Sequence, residues 1–193
     1  MKRYVLGITG ASPSIYGLRA ARAILQSSCE LHLLVSAQGE KVLRYETGFD
    51  SESFAASLPG TELSKLKLHR IDDYFSSLAS GSFPTDGMLI LPCSMNCAGS
   101  IAQGTGGDLL RRAADVHLKE RRPLVIAFRE APLSSIHLRN LLTLSEAGAI
   151  VMPAAPGFYG KPESLDDIID FVVGRTLRSL GLENNLGHVW QGV

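Results

Sequence analysis

The stretch Tyr4–Gln26, YVLGITGASPSIYGLRAARAILQ, decides the fold. An unbroken apolar run, Tyr4–Ile8, ends in Thr9 and Gly10, and a loop of small residues then leads into helix formers over Ile15–Gln26. This order predicts a strand, a tight turn and a helix. Because the run does not alternate with polar residues, the strand is expected to bury both faces, as the strands of a parallel sheet do.

The same pattern recurs along the chain. Further strands are predicted at Leu31–Val35, Gly87–Leu91, Leu124–Phe128 and Ala149–Met152, and further helices at Ala37–Thr47, Leu109–Lys119 and Ser134–Ala147. A last helix of about sixteen residues is predicted with Ser164 as its N-cap and Gly181 past its end. The serine-rich segment Ser51–Pro84 predicts a helical piece, a short strand near Leu66–His69 and a loop.

Strands that alternate with helices define the expected fold class. It is an α/β three-layer sandwich with a mostly parallel, Rossmann-like (flavodoxin-like) sheet. With 193 residues, 45% of them apolar, and no linker, we expect a single domain over residues 1–193.

Charge and composition exclude several classes of partner. Nineteen basic residues balance nineteen acidic ones, so no net field attracts nucleic acid or an anionic membrane. No apolar stretch approaches the length of a membrane span. The cysteines, Cys29, Cys93 and Cys97, are odd in number and lack a CxxC spacing, which indicates a reduced, cytoplasmic protein.

A protein-built metal site is not expected. The five histidines are scattered singly, without the spacing of a zinc site: His32, His69, His117, His137 and His188.

The carboxyl ends of the predicted strands gather the polar residues. In an open parallel sheet these ends share one edge, where ligands bind. The residues expected there are Thr9, Gly10, Ala11, Ser12, Ser36, Ser94, Arg129 and Glu130.

The first loop favours an anion, because the helix that follows has unpaired N–H groups and a positive dipole end. A dinucleotide fingerprint fails, since Ser12 and Ile15 stand where GxGxxG needs glycine, and Ser36 stands where an acidic residue would contact the ribose. A mononucleotide fits better. An ordinary turn with serine caps remains an equal alternative from this loop alone.

Three basic positions can have either a structural role or a role in binding an anion. Taken by itself, the segment Lys119–Arg122 is typical of a solvated helix end. Arg129 ends a buried strand, where it needs an anion or an ion pair with Glu130. Arg175 shares a helical stripe with apolar residues and either extends to solvent or reaches an anion. Tyr159, in a glycine- and proline-rich loop, either covers a ligand or packs on the surface.

Several segments resemble the UbiX-type flavin prenyltransferases, formerly described as polyprenyl-hydroxybenzoate carboxy-lyases. The resemblance covers nearly the whole chain. The segments that carry it are Gly10–Ser12, Pro92–Ser94, Arg112–Val116, Leu118–Leu124, Arg129–Leu133 and Pro153–Tyr159.

The resemblance implies a metal-independent transfer of a dimethylallyl group from dimethylallyl phosphate to N5 and C6 of reduced FMN. The prenylated FMN would serve a separate decarboxylase in a ubiquinone-type pathway, and the enzyme would be a homododecamer with sites between subunits. An FMN-dependent decarboxylase of the phosphopantothenoylcysteine type, for which His69 is a weak candidate base, and a non-catalytic flavin carrier are the alternatives.

The resemblance also implies residue roles. The FMN-binding residues would be Gly10, Ala11, Ser12, Ser36, Ser94, Met95, Asn96, Cys97 and Arg129. The prenyl phosphate would be bound by Ser80, Arg112, Lys119, Arg129, Tyr159 and Arg175. Tyr74 would stabilise allylic cation character, and proton handling would fall to Glu130 with help from Ser12 and Glu46. Two departures stand out: Cys97 replaces the threonine of many relatives, and Pro13-Ser14 replaces a more usual glycine.

Overall fold

The computed structural model describes residues 1–190 and 192, and contains one six-stranded sheet in which every pairing is parallel. The strand order is β3-β2-β1-β4-β5-β6, the order of doubly wound nucleotide-binding folds. The predicted α/β sandwich is confirmed. The single domain was predicted over 1–193, of which Gln191 and Val193 lie outside the described residues.

The strands are β1 Arg3–Ile8, β2 Glu30–Val35, β3 Leu66–Leu68, β4 Gly87–Cys93, β5 Leu124–Phe128 and β6 Ile150–Pro153. The helices are α1 Ile15–Gln26, α2 Ala37–Thr47, α3 Ser51–Ala56, α4 Gly60–Leu63, α5 Met95–Ala102, α6 Leu109–Lys119, α7 Ser135–Glu146 and α8 Leu165–Ser179, with a 3₁₀ turn at Ser77–Ala79.

One helix, α5, was not predicted. The sequence MNCAGSIA contains four small residues, Ala98, Gly99, Ser100 and Ala102. Its one strong start signal is Ser94, whose hydroxyl accepts a hydrogen bond from the Cys97 N–H at 3.4 Å as the N-cap. By contrast, α8 begins where predicted, with Ser164 and Asp167 forming a capping box, and Gly181 follows its end at φ +80°.

Two hydrophobic cores cover the two faces of the sheet. On one face α1, α3 and α8 bury side chains such as Ile24, Phe54 and Val173 against β1 and β2. On the other face α5, α6 and α7 pack over β4 and β5 through Ile101, Leu110 and other apolar residues. Within residues 1–190 and 192, no helix combines the length and apolarity that crossing a membrane requires.

Two histidines that lie far apart in the sequence are paired in the structure. His32 on β2 and His69 just after β3 share a hydrogen bond of 2.8 Å between Nδ1 and Nε2. His32 also contacts Glu30 at 2.9 Å, and His69 contacts the Ser76 hydroxyl at 2.9 Å. Parallel pairing of β2 and β3 brings together residues that sequence spacing keeps apart. In the part of the chain that the structure describes, no group of three or more His, Cys, Asp or Glu side chains is arranged to hold a metal ion.

Candidate functional site

A cleft of about 310 Å³ opens at the carboxyl edge of the sheet, where the strand order reverses between β1 and β4. This is the place at which doubly wound folds bind ligands. Its lining residues are Thr9, Gly10, Ser36, Ala37, Gln38, Ser94, Asn96, Cys97, Asp108, Leu110 and Arg111. Five of the predicted flavin-binding residues are therefore brought together: Gly10, Ser36, Ser94, Asn96 and Cys97.

Thr9 joins the two strands that flank the switch point. Its hydroxyl donates to the carbonyl of Pro92 at 2.8 Å and accepts from the N–H of Ser94 at 2.7 Å. Thr9 is 2% exposed, so these hydrogen bonds are shielded from water. The first strand and the Ser94 turn are thereby fixed relative to each other at the floor of the cleft.

The anion expected at the start of α1 is supplied by the chain itself. One Glu46 carboxylate oxygen accepts from both the N–H and the hydroxyl of Ser14, each at 2.7 Å. Partial burial opposes ionisation of Glu46, but hydrogen bonds from Ser12 and Ser14 outweigh it and lower its pKa. The expectation that small residues keep this helix start open for a ligand phosphate is therefore wrong. Gly10 instead allows close packing on α2, since a Cβ there would lie 2.7 Å from the Cβ of Gln38.

Arg129 lies beside this loop. Its Nε donates to the Ser12 carbonyl at 2.6 Å, and its charge contributes to the low pKa of Glu46. Arg129 is exposed, so the desolvation reasoning applied to it from sequence does not hold. The Glu130 carboxylate accepts from the N–H of Ala131 at 3.2 Å, and is available to solvent at the same edge. Ser12, Glu46 and Arg129 therefore form one polar cluster, with Glu130 next to it in the chain.

The Ser94–Cys97 segment is the first turn of α5. Met95 and Cys97 are buried, whereas Asn96 is exposed. Cys97 lies next to Cys93, and this neighbouring thiol together with burial raises the pKa of Cys93. Neither thiol takes part in a disulfide.

Sequence reasoning missed Asp108 and Arg111, which line the cleft from the start of α6. Asp108 is the N-cap and accepts from the N–H of Arg111 at 2.9 Å. Within residues 1–190 and 192, Arg111 Nε is the only buried side-chain nitrogen or oxygen without a hydrogen-bond partner. The sequence does contain a pattern that could have identified these two residues. An N-cap aspartate followed three residues later by arginine places both side chains at one helix end.

The residues predicted for the prenyl phosphate form a second group along α6, from Arg112 near its start to Lys119 at its end. Arg112 donates to the Ala79 carbonyl at 3.0 Å, and Lys119 is paired with Glu120. Ser80 lies in the loop beside them, since a Cβ on Gly81 would stand 2.7 Å from Lys119 Nζ. Because α6 connects two parallel strands it runs back across the sheet, and Lys119 lies about 15 Å along it from Leu109.

Arg175 also lies away from the cleft, near the end of α8. The start of α8 is fixed to α1 by the Arg19 to Asp170 hydrogen bond of 2.6 Å, whereas Leu180, after its end, contacts Gly87 at the start of β4. Arg175 is close to that second end and is exposed, although Val172 on the same stripe is buried. One chain therefore does not bring Lys119, Ser80 and Arg175 to Arg129.

The two tyrosines lie at the carboxyl edge. The Tyr74 hydroxyl accepts from the N–H of Gly107 at 3.3 Å, directly beside Asp108 in the cleft. Tyr159, 49% exposed, packs edge-on against Phe171 and His188 in the segment between β6 and α8. Tyr74 is thus next to the cleft, while Tyr159 lies on the β6 side of it.

The residues of the cleft suit FMN. Hydroxyls, exposed amide groups and a guanidinium offer donors for a phosphate and for ring carbonyls. The apolar side chain of Leu110 and the thiol of Cys97 provide the flat, less polar surface that a ring needs.

Comparisons with known proteins point the same way. A model of the flavoprotein family matches residues 1–177. A flavin prenyltransferase UbiX from Halalkalibacterium halodurans is 44% identical over 190 residues, covering 97% of this chain and 92% of the relative. The crystal structure of AnUbiX in complex with FMN and dimethylallyl pyrophosphate superposes with a TM-score of 0.91 at 38% identity, covering 100% of this chain and 98% of that one. A dodecameric FMN-dependent Ubix-like decarboxylase from Escherichia coli O157:H7 gives 0.89 at 38% identity, covering 98% and 100%.

The parallel sheet and the polar cleft at its switch point define a mononucleotide-binding α/β protein. The family follows from the sequence matches, which extend over nearly the full length. This chain belongs to the flavoprotein family and, within it, to the flavin prenyltransferases. The resemblance seen in the sequence is confirmed, and it favours a prenyltransferase over a phosphopantothenoylcysteine decarboxylase.

Proposed function

We propose that this protein transfers a dimethylallyl group from dimethylallyl phosphate to N5 and C6 of reduced FMN, without a metal ion. The observation that carries the proposal is the cleft at the switch point, where predicted flavin-binding residues from three strands meet, in a chain that is 44% identical to a flavin prenyltransferase. The bound crystal structure of AnUbiX contains the two ligand classes that this reaction needs.

The chain's own residues would hold the flavin nucleotide. Ser36 and Ser94 each place a hydroxyl at the start of a helix, α2 and α5, next to N–H groups that favour an anion. Reduced FMN would supply the nucleophilic N5. The remaining FMN-binding residues proposed from the resemblance are Gly10, Ala11, Ser12, Met95, Asn96, Cys97 and Arg129.

The basic residues would stabilise the leaving group. Negative charge develops on the phosphate oxygens as the allylic carbon–oxygen bond breaks, and fixed cations lower the barrier by binding that charge more strongly in the transition state. Arg129, Lys119 and Arg175 have this role here, with Arg112, Ser80 and Tyr159 as further phosphate donors. The ring face of Tyr74 would stabilise the allylic cation.

Proton handling falls to the carboxylates at the same edge. Glu130 is exposed enough to exchange protons with solvent and stands next to Arg129. Glu46, held ionised by Ser12 and Ser14, would keep the Ser12 hydroxyl oriented as a donor.

A neighbouring copy of the chain would complete the site. Lys119, Ser80 and Arg175 lie toward the amino edge of the sheet, and Arg129 at the carboxyl edge, so a second copy must present its amino edge to the first. Such a head-to-tail contact forms a closed ring when the rotation between successive copies closes. We propose a homododecamer, as described for the related protein from Escherichia coli O157:H7.

The product, prenylated FMN, would pass to a decarboxylase that depends on it, in a ubiquinone-type pathway in the cytoplasm. The chemistry of flavins supports this transfer of the product. A flavin acts as a cofactor bound to an enzyme, so the prenylated FMN made here would be used by a second enzyme.

The test of the reaction is anaerobic incubation of the purified protein with reduced FMN and dimethylallyl phosphate. Addition of one five-carbon unit to the flavin, seen by mass spectrometry, is the expected result. Unchanged flavin would refute the transfer and leave the flavin-carrier alternative. In Arg175→Ala we expect weaker binding of prenyl phosphate with FMN still bound, and in Glu130→Gln a slower reaction with binding retained; equal loss of FMN in both variants contradicts this division.

Subunit complementation tests the shared site. Lys119→Ala and Arg129→Ala are each expected to be inactive alone. When the two are co-expressed in equal amounts, about a quarter of the sites combine both intact faces, so about a quarter of the activity should return. No recovery in a mixed oligomer would place both residues in the same subunit's site.

A further inference from the structure

A row of four side chains closes the segment between β3 and the 3₁₀ turn. His32 on β2 contacts Glu30 Oε1 at 2.9 Å through Nε2, and His69 Nε2 at 2.8 Å through Nδ1. His69 Nδ1 in turn contacts the Ser76 hydroxyl at 2.9 Å. Since His69 directly follows β3 and Ser76 directly precedes the 3₁₀ turn, one imidazole ring ties both ends of the segment to the sheet. We refer to these four residues as the histidine clasp.

The donors and acceptors of the histidine clasp follow in one order. Burial lowers the pKa of both rings, so each ring is neutral near neutral pH and has one N–H. The Glu30 carboxylate, which is paired with Arg3 at 3.0 Å, accepts from His32 Nε2. His32 Nδ1 then accepts from His69 Nε2, and His69 Nδ1 accepts from the hydroxyl of Ser76. Because each ring nitrogen has a partner, the clasp specifies one arrangement of the chain at this point.

The segment closed by the clasp, residues 70–75, extends to the cleft. The Ile71 carbonyl accepts from the N–H of Leu109 at 2.8 Å, and the Tyr74 hydroxyl accepts from the N–H of Gly107 at 3.3 Å. Asp108, which lies between these two donors in the chain, lines the cleft. Together with these two contacts, the clasp therefore holds Tyr74 beside the cleft.

Hydrophobic burial contributes little to the order of segment 70–75. Five of its six residues are exposed, Ile71 being the exception, and the Phe75 side chain is completely exposed. The ion pair between Arg70 and Asp72 is also exposed, so it adds little. A segment with so few buried apolar contacts opens locally unless polar contacts fix it. The clasp supplies such contacts at both of its ends.

We propose that His69 is a positioning residue for prenyl transfer, which acts through the histidine clasp by holding the Tyr74 ring at the cleft. The inference rests on the proposed function, because it takes the Tyr74 ring face as the group that stabilises the allylic cation. This stabilisation requires the cation within about 6 Å of the ring centroid, so a mobile segment would slow the chemical step. Binding of the prenyl phosphate depends on other side chains and should change less.

The experiment uses full-length variants that open the clasp from either end. His69→Ala removes the ring, and Ser76→Ala removes only the hydroxyl, so the second variant tests the proposal even if the first fails to fold. His69→Gln is the conservative variant, because glutamine offers a donor and an acceptor to His32 and Ser76. Thr85→Val is the matched control, since it removes the 3.0 Å hydrogen bond between Thr85 and His117 in the same connection but outside segment 70–75.

Chymotrypsin, which cuts after aromatic residues, measures the clasp without any substrate. Cleavage after Tyr74 or Phe75 requires local opening of the segment, and mass spectrometry identifies the bond that is cut. Loss of the clasp hydrogen bonds should speed this cleavage about tenfold in His69→Ala and about threefold in Ser76→Ala. His69→Gln and Thr85→Val should be cut at the wild-type rate.

Steady-state kinetics with reduced FMN and dimethylallyl phosphate, at neutral pH, tests whether the clasp acts through Tyr74. In His69→Ala, kcat should fall about fivefold while KM for dimethylallyl phosphate changes less than about twofold, and His69→Gln should restore kcat. Tyr74→Ala alone should lower kcat about tenfold. Adding His69→Ala to Tyr74→Ala should have no further effect, because the two residues then act as one unit. Thr85→Val should match wild type.

Two results overturn the inference alone. If His69→Ala and Ser76→Ala are cut by chymotrypsin at the wild-type rate, the clasp does not hold the segment. If kcat stays at the wild-type value in His69→Ala, or falls fivefold again in the Tyr74→Ala background, His69 does not act through Tyr74. A wild-type protein that makes no prenylated flavin would overturn the proposed function and the positioning role together. That failure is distinguishable, because the cleavage rates need no substrate.

Discussion

The His32–His69 hydrogen bond predicts a loss of stability in mild acid. One ring must donate and the other accept across their 2.8 Å contact, so protonating both rings would turn two donors toward each other. Burial, followed by the charge of His32, lowers the pKa of His69 from 6.5 to about 4, against the opposing effect of Asp73. Burial likewise lowers the pKa of His32, in spite of its contact with Glu30.

The sign follows from proton linkage. A base whose pKa is lower in the folded protein binds fewer protons there than in the unfolded chain. Its contribution is complete above the unfolded pKa of 6.5 and disappears as the pH falls toward the folded value of about 4. For His69 alone, moving from about pH 7.5 to about pH 4.5 should cost about 2.5 kcal/mol of unfolding free energy.

Urea unfolding of wild type and His69→Gln at several pH values in this range measures the effect. Glutamine keeps a donor and an acceptor for His32 and Ser76 but does not titrate, so the variant should lose about 2.5 kcal/mol less than wild type on acidification. The exposed His188→Gln variant should retain the wild-type dependence. An identical pH dependence in wild type and His69→Gln would refute the reasoning.

Three further perturbations have expected outcomes. Glu46→Gln removes the charged acceptor at the start of α1 and should cost about 1–2 kcal/mol in urea unfolding near neutral pH, a difference that shrinks in acid because the pKa of Glu46 is lowered. Gly174→Ala places a Cβ 2.1 Å from the Leu186 carbonyl, so it should destabilise by about 1–3 kcal/mol and speed proteolysis after α8. Cys93 is buried with a raised pKa, and its thiol should react with a disulfide reagent only after denaturation.

The sequence was sufficient for most of the fold because the decisive signals are local. An unbroken apolar run such as Leu124–Phe128 forms a strand that is covered on both faces. The predicted bounds of this strand agree with the observed ones at both ends. Capped helices such as α8 were equally clear. The α5 helix was missed since its small residues carry little propensity, and packing of Ile101 and Ala98 against α7 and β5 stabilises it instead.

The candidate site was only partly predictable, for a reason that concerns distance along the chain. The strand-end rule placed Ser36 and Ser94 in one cleft without any knowledge of contacts. It did not show that Glu46, thirty-two residues from Ser14, occupies the helix start reserved for a ligand. Nor did it show the His32–His69 pair. These contacts depend on how helices and loops pack against one another, and the periodicity of the sequence does not predict that packing.

The separation between the two groups of predicted ligands is the reason for proposing a site shared between copies of the chain. The carboxyl edge contains Ser12, Arg129 and the cleft, whereas Lys119 lies about 15 Å away along α6, and a prenyl phosphate is much shorter than that. A helix crossover fixes this distance within each chain, so no small motion removes it. In the proposed oligomer, a neighbouring copy would supply the missing cations at the carboxyl edge and bury their charge, and phosphate binding would then depend on assembly.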